Sequence, residues 1–517
     1  MGMTKSDSFL LMISLTMTSA LKGGHIVMDL ETDVVVIGAG AAGFGAAITL
    51  ADAGRRVTLL EKGNRYGGAG MFGAQGLFAV ESRAQKDAGS SFTVKEAYQE
   101  LMDYTHYRSD PAITKAILTK SADTIDWLAA HGLATELVDN TQEVHQGRPK
   151  VYHQYIDKFA GFDRLAQGFA DKGGQLLTET TATDLLTSGG HVTGVAISGK
   201  NGNQTIRCQA VIVADGGYIG NRQMVADHLA IAPENLYSMG ERKATGDGIS
   251  MLHAIGADTS KLGNFENHAA SVVSTTDPKW HNQTIFTLTN LPFLWLNRRG
   301  ERFVDESICY DFALWGNITY TQGGYYYYIL DQATVDYLRG HELDWTDSFE
   351  RTFTSLAHTP VTHRVGPFPD LPADLAEAEA QGAACHADNL VGLADRIGAS
   401  SDAVIHAVTA YNDAVNAGND TTYYKPSKFL RFPVTSGPFY AVKAQSTSLG
   451  TIGGVATNAH MQVLTPAGQP IPGAYVAGND ANGMYDTSYP TMEGISCAFA
   501  WNSGRIAGEA ASAQLAH

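Results

Sequence analysis

Three glycines and one acid near the start of the sequence have the spacing that holds a dinucleotide. Gly38, Gly40 and Gly43 form a GxGxxG motif. In this motif the first glycine permits a tight turn, the second lets the backbone approach a pyrophosphate, and the third lets a helix pack closely on a strand. The phosphates then lie at the helix N-terminus, where backbone N–H groups are free to bind them. Glu61 follows at the distance expected of an acid that binds the adenosine ribose.

The flanking sequence supplies the elements that must position this motif. Residues 33–37 (DVVVI) are apolar and β-branched after Asp33, which is typical of a buried parallel strand. We predict that this strand leads into the motif and that a helix follows over residues 44–53. A second strand at 57–60 then ends at Glu61. A strand, a helix and an acid in this order favour a true dinucleotide site over a coincidental glycine-rich turn.

A second glycine-rich stretch distinguishes a flavin from a nicotinamide. Residues 67–76 (GGAGMFGAQG) come soon after the acid. Without side chains, their backbone amides can lie against the face and the N5 edge of an isoalloxazine ring. The alternative interpretation is a flexible loop. The stretch therefore predicts FAD as the cofactor.

Three later segments complete the predicted flavin site. Residues 210–216 and 473–479 each read as a strand followed by a glycine turn, and ligands bind at the carboxyl ends of such strands. Residues 493–496 open the last helix, whose N–H groups would face flavin N1 and O2 and stabilise the reduced anion. The predicted cofactor-binding residues are Gly38, Ala39, Gly40, Ala41, Ala42, Gly43, Glu61, Lys62, Gly67, Gly68, Ala69, Gly70, Gly73, Ala74, Gln75, Gly76, Ala182, Ala214, Asp215, Gly216, Asn221, Asp247, Gly478, Asn479, Gly494, Ile495 and Ser496.

Together these segments resemble the fumarate reductase/succinate dehydrogenase flavoprotein family, which also contains 3-ketosteroid dehydrogenases and anaerobic ene-reductases. The resemblance implies an α/β fold class, with a Rossmann-like FAD-binding domain and an inserted α+β capping domain that closes over the substrate. It assigns residues 28–262 and 436–517 to the FAD-binding domain and 263–435 to the cap. Besides the GxGxxG motif, it rests on VADGGYIGN at 213–221, ATGDGISMLHAIGAD at 244–258, LNRRGERFVDE at 296–306, TIGG at 451–454 and SGRIAGE at 503–509.

The substrate side departs from the members of the family that reduce dicarboxylates. Two carboxylates need charge-assisted hydrogen bonds, which arginine and histidine supply. We therefore predict that fumarate and succinate are not substrates. Aligned on the family, the proton-donating arginine falls on Tyr310, the relay arginine and glutamate on Thr289 and Phe286, the histidine pair on Leu449 and Gly450, and the carboxylate-binding arginine on Thr491 or Tyr489.

The same alignment bears on how the flavin is held. Members that bind FAD covalently use a histidine whose position falls on Gly70 in this sequence. Glycine offers no nucleophile. The resemblance therefore implies non-covalent FAD.

Neutral aromatic residues replace the missing charges. The candidate catalytic residues are Tyr310, Tyr485 and Tyr489, since a tyrosine can act as a general acid and Tyr310 occupies the donor position beside Asp311. His268, near the start of the cap, is a further candidate to face the substrate. Aromatic walls suit a planar phenolic or steroid-like molecule. The other aromatic residues considered are Phe286, Phe293, Trp295 and the run 325–328.

These features predict an FAD-dependent reductase that passes a hydride from flavin N5 to a neutral, ring-containing substrate, phenolic, isoflavonoid or steroid-like. Isoflavonoid reductases such as the tetrahydrodaidzein reductases resemble this family and are one concrete candidate class. One alternative is a 3-ketosteroid-type dehydrogenase that works in the oxidative direction, and another is a non-catalytic flavin electron carrier. The sequence has no second GxGxxG motif, so the electron donor is expected to be external, either NAD(P)H or a redox protein.

Composition limits the partners and the location. The net charge of -17 repels nucleic acid and anionic membranes. The cysteines are widely spaced with no CxxC pair, and no metal site is predicted. Residues 1–27 are interpreted as a leader or a misassigned start, with a cleaved signal peptide as the alternative because residues 9–21 are apolar. The cytoplasm is the expected location.

Overall fold

The computed structural model describes residues 30–343, 365–485, 489 and 492–516. The leader predicted over residues 1–27 and the aligned position Thr491 lie outside the described residues. Within the described part of the chain, no helix combines the length and the apolar character needed to cross a membrane.

The elements alternate between strands and helices along most of the chain. The strands are β1 (Leu30–Glu31), β2 (Val34–Ile37), β3 (Val57–Leu60), β4 (Gly76–Phe78), β5 (Thr135–Val138), β6 (Tyr152–Tyr155), β7 (Gln175–Leu177), β8 (Thr181–Ser188), β9 (His191–Gly199), β10 (Gly202–Arg207), β11 (Ala210–Val213), β12 (Leu236–Ser238), β13 (Phe265–Ser271), β14 (Leu294–Leu296), β15 (Tyr325–Asp331), β16 (Ala384–Ala387), β17 (Phe439–Thr451), β18 (Gln462–Leu464) and β19 (Pro470–Val476). The α-helices are α1 (Ala41–Asp52), α2 (Gly68–Phe72), α3 (Arg83–Asp87), α4 (Val94–Tyr104), α5 (Pro111–Ala130), α6 (Lys158–Asp171), α7 (Arg222–His228), α8 (Asp247–Ala254), α9 (Gln283–Thr289), α10 (Phe312–Thr321), α11 (Gln332–Gly340), α12 (Leu371–Ala380), α13 (Leu390–Ile397), α14 (Ser401–Ala417) and α15 (Ile495–Gln514). Short 3-10 helices lie at Glu143–His145, Pro233–Asn235, Glu306–Tyr310, Ser427–Phe429 and Gly478–Asp480.

A six-stranded sheet forms the centre of the FAD-binding unit. Its strand order is β18-β19-β11-β2-β3-β7. Every neighbouring pair is parallel except β18 and β19. All four residues of β2, β3 and β11 are buried, as expected of a parallel sheet covered on both faces. The predicted Rossmann-like α/β fold is confirmed.

Helices α1 and α15 cross at unusually short range, because small residues line the contact. A Cβ atom added to Gly504 of α15 would lie 2.1 Å from the backbone oxygen of Ala42 in α1. One added to Gly45 of α1 would lie 3.0 Å from the oxygen of Trp501. The C-terminal helix therefore closes directly over the helix that follows the GxGxxG motif, although their sequences are far apart.

Two smaller sheets complete the FAD-binding unit. The strands β1, β10, β9 and β8 form one sheet in that order, and β4, β6 and β5 form the other. The second of these carries the segment that follows the glycine-rich stretch, since β4 begins at Gly76.

A mixed sheet forms the cap. Its path is β12-β17-β15-β14, and β13 and β16 also pair with β17. This sheet draws β12 and β17 from outside the predicted cap interval of 263–435. The hydrophobic cores divide the chain near the ends of the predicted cap interval. The core of the FAD-binding unit contains buried residues up to Phe265 and from Ile452 onward, whereas the two cores of the cap contain buried residues between Ala270 and Ala444.

Candidate active site

A cavity of about 710 Å³ opens at the carboxyl ends of β2, β3 and β11. Its size falls within the range of cofactor and ligand pockets. One end is lined by the GxGxxG turn and by residues after β3, and the other end by residues of β13, α10 and β17. The N-terminus of α15 closes a third side through Gly494 and Ser496.

The GxGxxG turn has the shape of a phosphate cradle. Gly38 has φ 99°, and a Cβ there would lie 2.3 Å from the oxygen of Ala214. A Cβ on Gly43 would lie 1.7 Å from the oxygen of Gly38. Beside Gly40, by contrast, the nearest atom would be 4.0 Å away. The turn is tight where it packs on protein and open where it faces the cavity, as pyrophosphate binding requires.

Two helix N-termini that face this cavity lack side-chain caps. Gly40 precedes α1 and Gly494 precedes α15, and neither accepts a bond from the helix through a side chain. The first turn of each helix also lacks an acidic residue. Their N–H groups are therefore available to negative charge, at α1 to phosphate and at α15 to the pyrimidine edge of a reduced flavin.

Charged side chains gather at the ribose end of the cavity. Glu61 is 7% exposed and its Oε1 accepts hydrogen bonds from Gly63 N (2.7 Å) and Lys243 Nζ (3.1 Å). Lys62 pairs with Asp247 at 2.7 Å. The cations Lys62 and Lys243 are thus already paired with acids, and Glu61 lies on the cavity wall, where its role in binding the ribose stays a prediction.

Gly70 shows why the flavin is not tethered through this stretch. A Cβ on Gly70 would lie 2.7 Å from the Cβ of Ala41, so α2 packs directly on α1 at this point. There is no space for an imidazole at this position without moving one of the helices. The packing agrees with non-covalent FAD.

The structure brings most of the predicted cofactor residues onto one cavity wall. Four of them shape the backbone instead of lining the cavity: Gly43 and Ile495 are packed in the interior, Gly67 donates its N–H to Ala39 O, and Asn221 caps α7. The predicted residues that line the cavity are Gly38, Ala39, Gly40, Ala41, Ala42, Glu61, Lys62, Gly68, Ala69, Gly70, Gly73, Ala74, Gln75, Gly76, Ala182, Ala214, Asp215, Gly216, Asp247, Gly478, Asn479, Gly494 and Ser496.

Asp215, at the end of β11, belongs to a buried acid pair with Asp480. Burial and the neighbouring Asp480 raise the pKa of Asp215, and burial also raises the pKa of Asp480. Asp480 accepts hydrogen bonds from Gly216 N (2.9 Å) and Gly217 N (2.8 Å), whereas Asp215 accepts one from Gly248 N (3.0 Å). Asp480 therefore holds the glycine turn after β11, and Asp215 forms the adjoining wall.

At the opposite end of the cavity, the lining residues of β13, α10 and β17 include rings and no lysine or arginine. His268 on β13 lies with its ring centre 5.1 Å from Phe312 and 6.4 Å from Tyr489. Burial lowers the pKa of His268 to about 4, so the imidazole is neutral near pH 7. Its Nδ1 has no hydrogen-bond partner among the described residues. This end offers an unpaired polar atom between rings, which suits a ring-bearing ligand with one polar group.

Glu266 is a cavity residue that the sequence analysis missed. It is 4% exposed, and burial raises its pKa to about 7 while the nearby Ser496 hydroxyl acts in the opposite direction. The available signal was the alternation of a strand, which places residues 266 and 268 of β13 on the same face. A carboxyl group next to a candidate histidine could have been inferred from that pattern.

The three candidate tyrosines occupy different surroundings. Tyr489 lines the cavity. Tyr310 packs in the cap core with its ring centre 5.3 Å from Phe429, and Tyr485 packs 5.4 Å from Phe499, so neither lies on the cavity wall. The expectation for Tyr310 rested on its aligned position, whereas a proton donor must also reach the substrate.

Most of the other aromatic residues considered are part of the cap core. Trp295 stacks on Tyr326 at 4.3 Å, and Phe293 stacks on Tyr328 at 6.3 Å. Thr289 is fully buried and its hydroxyl donates to Ile285 O. The aromatic rings on the cavity wall are instead those of Phe72, Tyr152, Phe312 and Tyr489.

A hydrogen-bonded chain joins the flavin end to the cap. Glu493, just before α15, accepts from Thr141 N (2.7 Å), Gln142 N (2.9 Å) and His145 Nδ1 (2.9 Å). Gln142 Oε1 in turn accepts from Phe312 N at the start of α10 (2.9 Å). This chain fixes Phe312 relative to the N-terminus of α15.

Comparisons with known proteins identify relatives among FAD-binding reductases and dehydrogenases. The sequence model described as FAD binding domain matches residues 33–496. The vinyl phenol reductase of Lactiplantibacillus plantarum is 33% identical over 496 residues, which cover 94% of this chain and 97% of that protein. The NADH:fumarate oxidoreductase of Klebsiella pneumoniae is 26% identical over 476 residues, and the match covers 90% of this chain but 46% of that protein, less than half of its length. Among solved structures, the 3-ketosteroid delta1-dehydrogenase from Sterolibacterium denitrificans has a TM-score of 0.72 at 18% identity and covers 94% of this chain and 100% of that chain, a likeness of fold.

Proposed function

Because this chain belongs to the FAD-binding oxidoreductase family that includes fumarate reductase-like flavoproteins, we propose that it reduces a carbon–carbon double bond conjugated to a phenol ring, as in para-vinylphenol. The observation that carries the proposal is the cavity wall formed by β13, α10 and β17, which carries rings and no lysine or arginine and lies beside an FAD cradle. The vinyl phenol reductase, which matches along nearly its whole length, supports the same substrate class.

The charges on the cavity wall support a neutral substrate. The described lining residues that carry positive charge are Lys62 and Lys243, which pair with Asp247 and Glu61, and Arg242, which directly precedes Lys243. At the other end the wall contains Leu449 and Gly450, where the family alignment expects histidines. A dicarboxylate placed there would lose its hydration without gaining a charged partner.

Reduced FAD, when bound, supplies the hydride from N5. The protein must then recognise the phenol and supply one proton. His268, neutral and with an unpaired Nδ1, can accept a hydrogen bond from the phenol hydroxyl. Such a bond increases electron donation from the hydroxyl into the ring, which stabilises positive charge at the carbon next to the ring.

Tyr489 is the proton donor in this proposal. It lines the cavity, and burial together with the nearby Glu266 raises its pKa well above the usual range. The hydroxyl is therefore protonated at neutral pH and available to the terminal alkene carbon. A proton added at that carbon leaves positive charge beside the ring, where the hydride adds, so the double bond gains one hydride and one proton.

An anaerobic reoxidation experiment tests the proposal. The purified protein is reduced with dithionite, and flavin absorbance is followed after adding para-vinylphenol, styrene, fumarate, a steroid enone or a flavonoid. We expect rapid reoxidation by para-vinylphenol with formation of para-ethylphenol. Styrene is the matched control because it lacks only the hydroxyl, and it should react far more slowly.

The other outcomes distinguish the alternatives. Equal rates with styrene and para-vinylphenol would refute recognition of the phenol. Reoxidation by the steroid or the flavonoid alone would move the substrate to that class, and reduction of oxidised flavin by a saturated ketosteroid would indicate the oxidative direction. Reoxidation by none of them, with rapid exchange of electrons with a redox protein, would favour a carrier. Reduction by NAD(P)H in place of dithionite would identify the external donor.

A further inference from the structure

Glu266 is an enclosed carboxyl group that the proposed chemistry has not yet used. It lies on β13, lines the cavity and is 4% exposed. A Cβ on Gly450 would lie 3.4 Å from its Oε2, so the carboxyl reaches the wall where the family alignment expects a histidine. No lysine or arginine among the described residues forms an ion pair with it. Burying a carboxyl group without an ion-pair partner costs free energy, and groups of this kind cluster at functional sites.

The groups around Glu266 leave it free to gain and lose a proton near neutrality. Burial raises its pKa to about 7. The titratable groups that face it are Tyr485, Tyr489 and Cys497, and burial raises the pKa of each, in the case of Cys497 to about 12. All three are uncharged at pH 7. His268, two residues away on the same strand, is also neutral there.

Ser496 connects this acid to the cavity tyrosine. It lies in the first turn of α15, and its hydroxyl is close enough to Glu266 to act on the pKa of that carboxyl, which it lowers. Its Oγ also lies 3.5 Å from the hydroxyl of Tyr489. A hydroxyl both donates and accepts, so it can pass a proton between two groups without being consumed.

We propose that Glu266 stores the proton of the reaction and that Ser496 passes it to Tyr489, an inference that rests on the proposed function. As the Tyr489 hydroxyl gives its proton to the alkene carbon, the Ser496 hydroxyl gives its own to Tyr489 and takes the proton of Glu266. Both hydroxyls are restored and Glu266 is left as a carboxylate. Because Glu266 lines the cavity, water that enters after product release returns the missing proton.

The pH dependence of a single turnover tests the relay. The reduced enzyme is mixed with para-vinylphenol across a range of pH, and the reoxidation rate is measured for the natural protein, Glu266→Gln, Ser496→Ala and Tyr489→Phe. The natural rate should fall as the pH rises through about 7, because Glu266 then loses its proton. Glu266→Gln should be slower by roughly 10²-fold and lose this dependence, since an amide has no acidic proton. Glu136→Gln, an exposed carboxylate of β5, is the matched control and should change neither property.

A double-mutant cycle separates a relay from a purely structural role. If the three residues act as one unit, adding Glu266→Gln to Tyr489→Phe should cause no further loss. Additive losses, or a Glu266→Gln profile like that of the natural protein, would overturn the relay. If Glu266→Gln does not retain FAD, the Ser496→Ala variant tests the relay instead, because it leaves the carboxyl in place. A reoxidation rate equal to that of the natural protein in Ser496→Ala would overturn the relay. Should the natural protein ignore para-vinylphenol but reduce another acceptor, the proposed substrate fails and the same cycle is run with that acceptor.

Discussion

At the scale of single residues, reaction chemistry is restricted to the few side chains that reach the cavity. Tyr489 and His268 line it and lie close together, whereas Tyr310 and Tyr485 are packed against other rings. The same filter applies to acids, since Glu266 lines the cavity and Asp311, next to Tyr310, does not. Exposure to the cavity therefore decides which of several similar residues can act.

Tyr489→Phe should slow reduction of para-vinylphenol by roughly 10²–10⁴-fold, the usual contribution of a positioned general acid. The substitution removes the hydroxyl and keeps the ring, so FAD content and folding should not change. The rate of flavin reoxidation under anaerobic conditions measures the effect. Tyr310→Phe is the comparison, and we expect near-natural turnover because Tyr310 is not on the cavity wall. The reverse result would place the donor at Tyr310 and require the cap to rearrange in the complex.

Fumarate should neither reoxidise the reduced protein at a useful rate nor compete with a good substrate. Leu449 and Gly450 cannot compensate the desolvation of two carboxylates, a cost of several kcal/mol per ion. Competition experiments with para-vinylphenol as the acceptor measure this directly. Inhibition by fumarate at low concentration would show that a cation reaches the substrate end, contrary to the arrangement described here.

At the scale of elements, the site depends on how closely α1 and α15 approach each other. The two helices present their N-termini to the same cavity, and their separation is set by glycines that have no room for a side chain. The spacing between the phosphate cradle and the flavin end of the site therefore depends on this helix contact. Gly504 is the more tightly packed of the two glycines of α15, since an added Cβ would lie 2.1 Å from Ala42 O.

Gly504→Ala should destabilise the protein by about 1–3 kcal/mol and reduce FAD occupancy, because an overpacked contact must push the helices apart. Alanine is otherwise the better helix former, so any loss must come from packing. Gly168→Ala in α6 is the matched control, since nothing lies within 4 Å of its added Cβ, and it should stabilise by up to about 1 kcal/mol. Thermal unfolding and the flavin-to-protein absorbance ratio measure both variants. Equal behaviour of the two would mean that the α1–α15 contact is not limiting.

At the scale of the whole molecule, the FAD-binding unit and the cap are connected through a few defined contacts. The cap sheet is built around β17, which ends at Thr451, the first residue of the TIGG segment. The Glu493–Gln142 chain fixes the first residue of α10. Most of the predicted cofactor-binding residues on the cavity wall are glycines and alanines, which offer mainly backbone groups to a cofactor. Retention of the flavin should therefore depend on an intact fold.

Denaturing the purified yellow protein with acid or heat should release all of the FAD into the supernatant. The reason is that Gly70 packs on Ala41 and offers no side chain for a covalent bond. Absorbance and chromatography of the supernatant identify intact FAD, and the precipitated chain should be colourless. Flavin that stays with the precipitate would contradict non-covalent binding.

The parts of the site that lie within one βαβ unit could be predicted from the sequence. The strand predicted at 57–60 is β3, and the strand predicted at 33–37 differs from β2 by one residue. The helix predicted at 44–53 begins earlier, at Ala41, because Gly40 is already its N-cap. Local spacing was sufficient here because the strand, turn and helix must follow one another in the chain to form the cradle.

The sequence by itself determined the cofactor, the fold class and the loss of the dicarboxylate-binding charges, since each is written in the types and spacing of residues along the chain. Only the tertiary structure decided which side chains share the cavity. Glu266 is more than 200 residues away from Tyr489 and Ser496 in the sequence. Tyr489 and Ser496 lie near the start of α15, and no local pattern relates Glu266 to them. Tyr310 aligns with the proton donor of the family but lies in the cap core. The position of its ring is set by the packing of the 3-10 helix at Glu306–Tyr310 against Phe429, which the sequence position does not reveal.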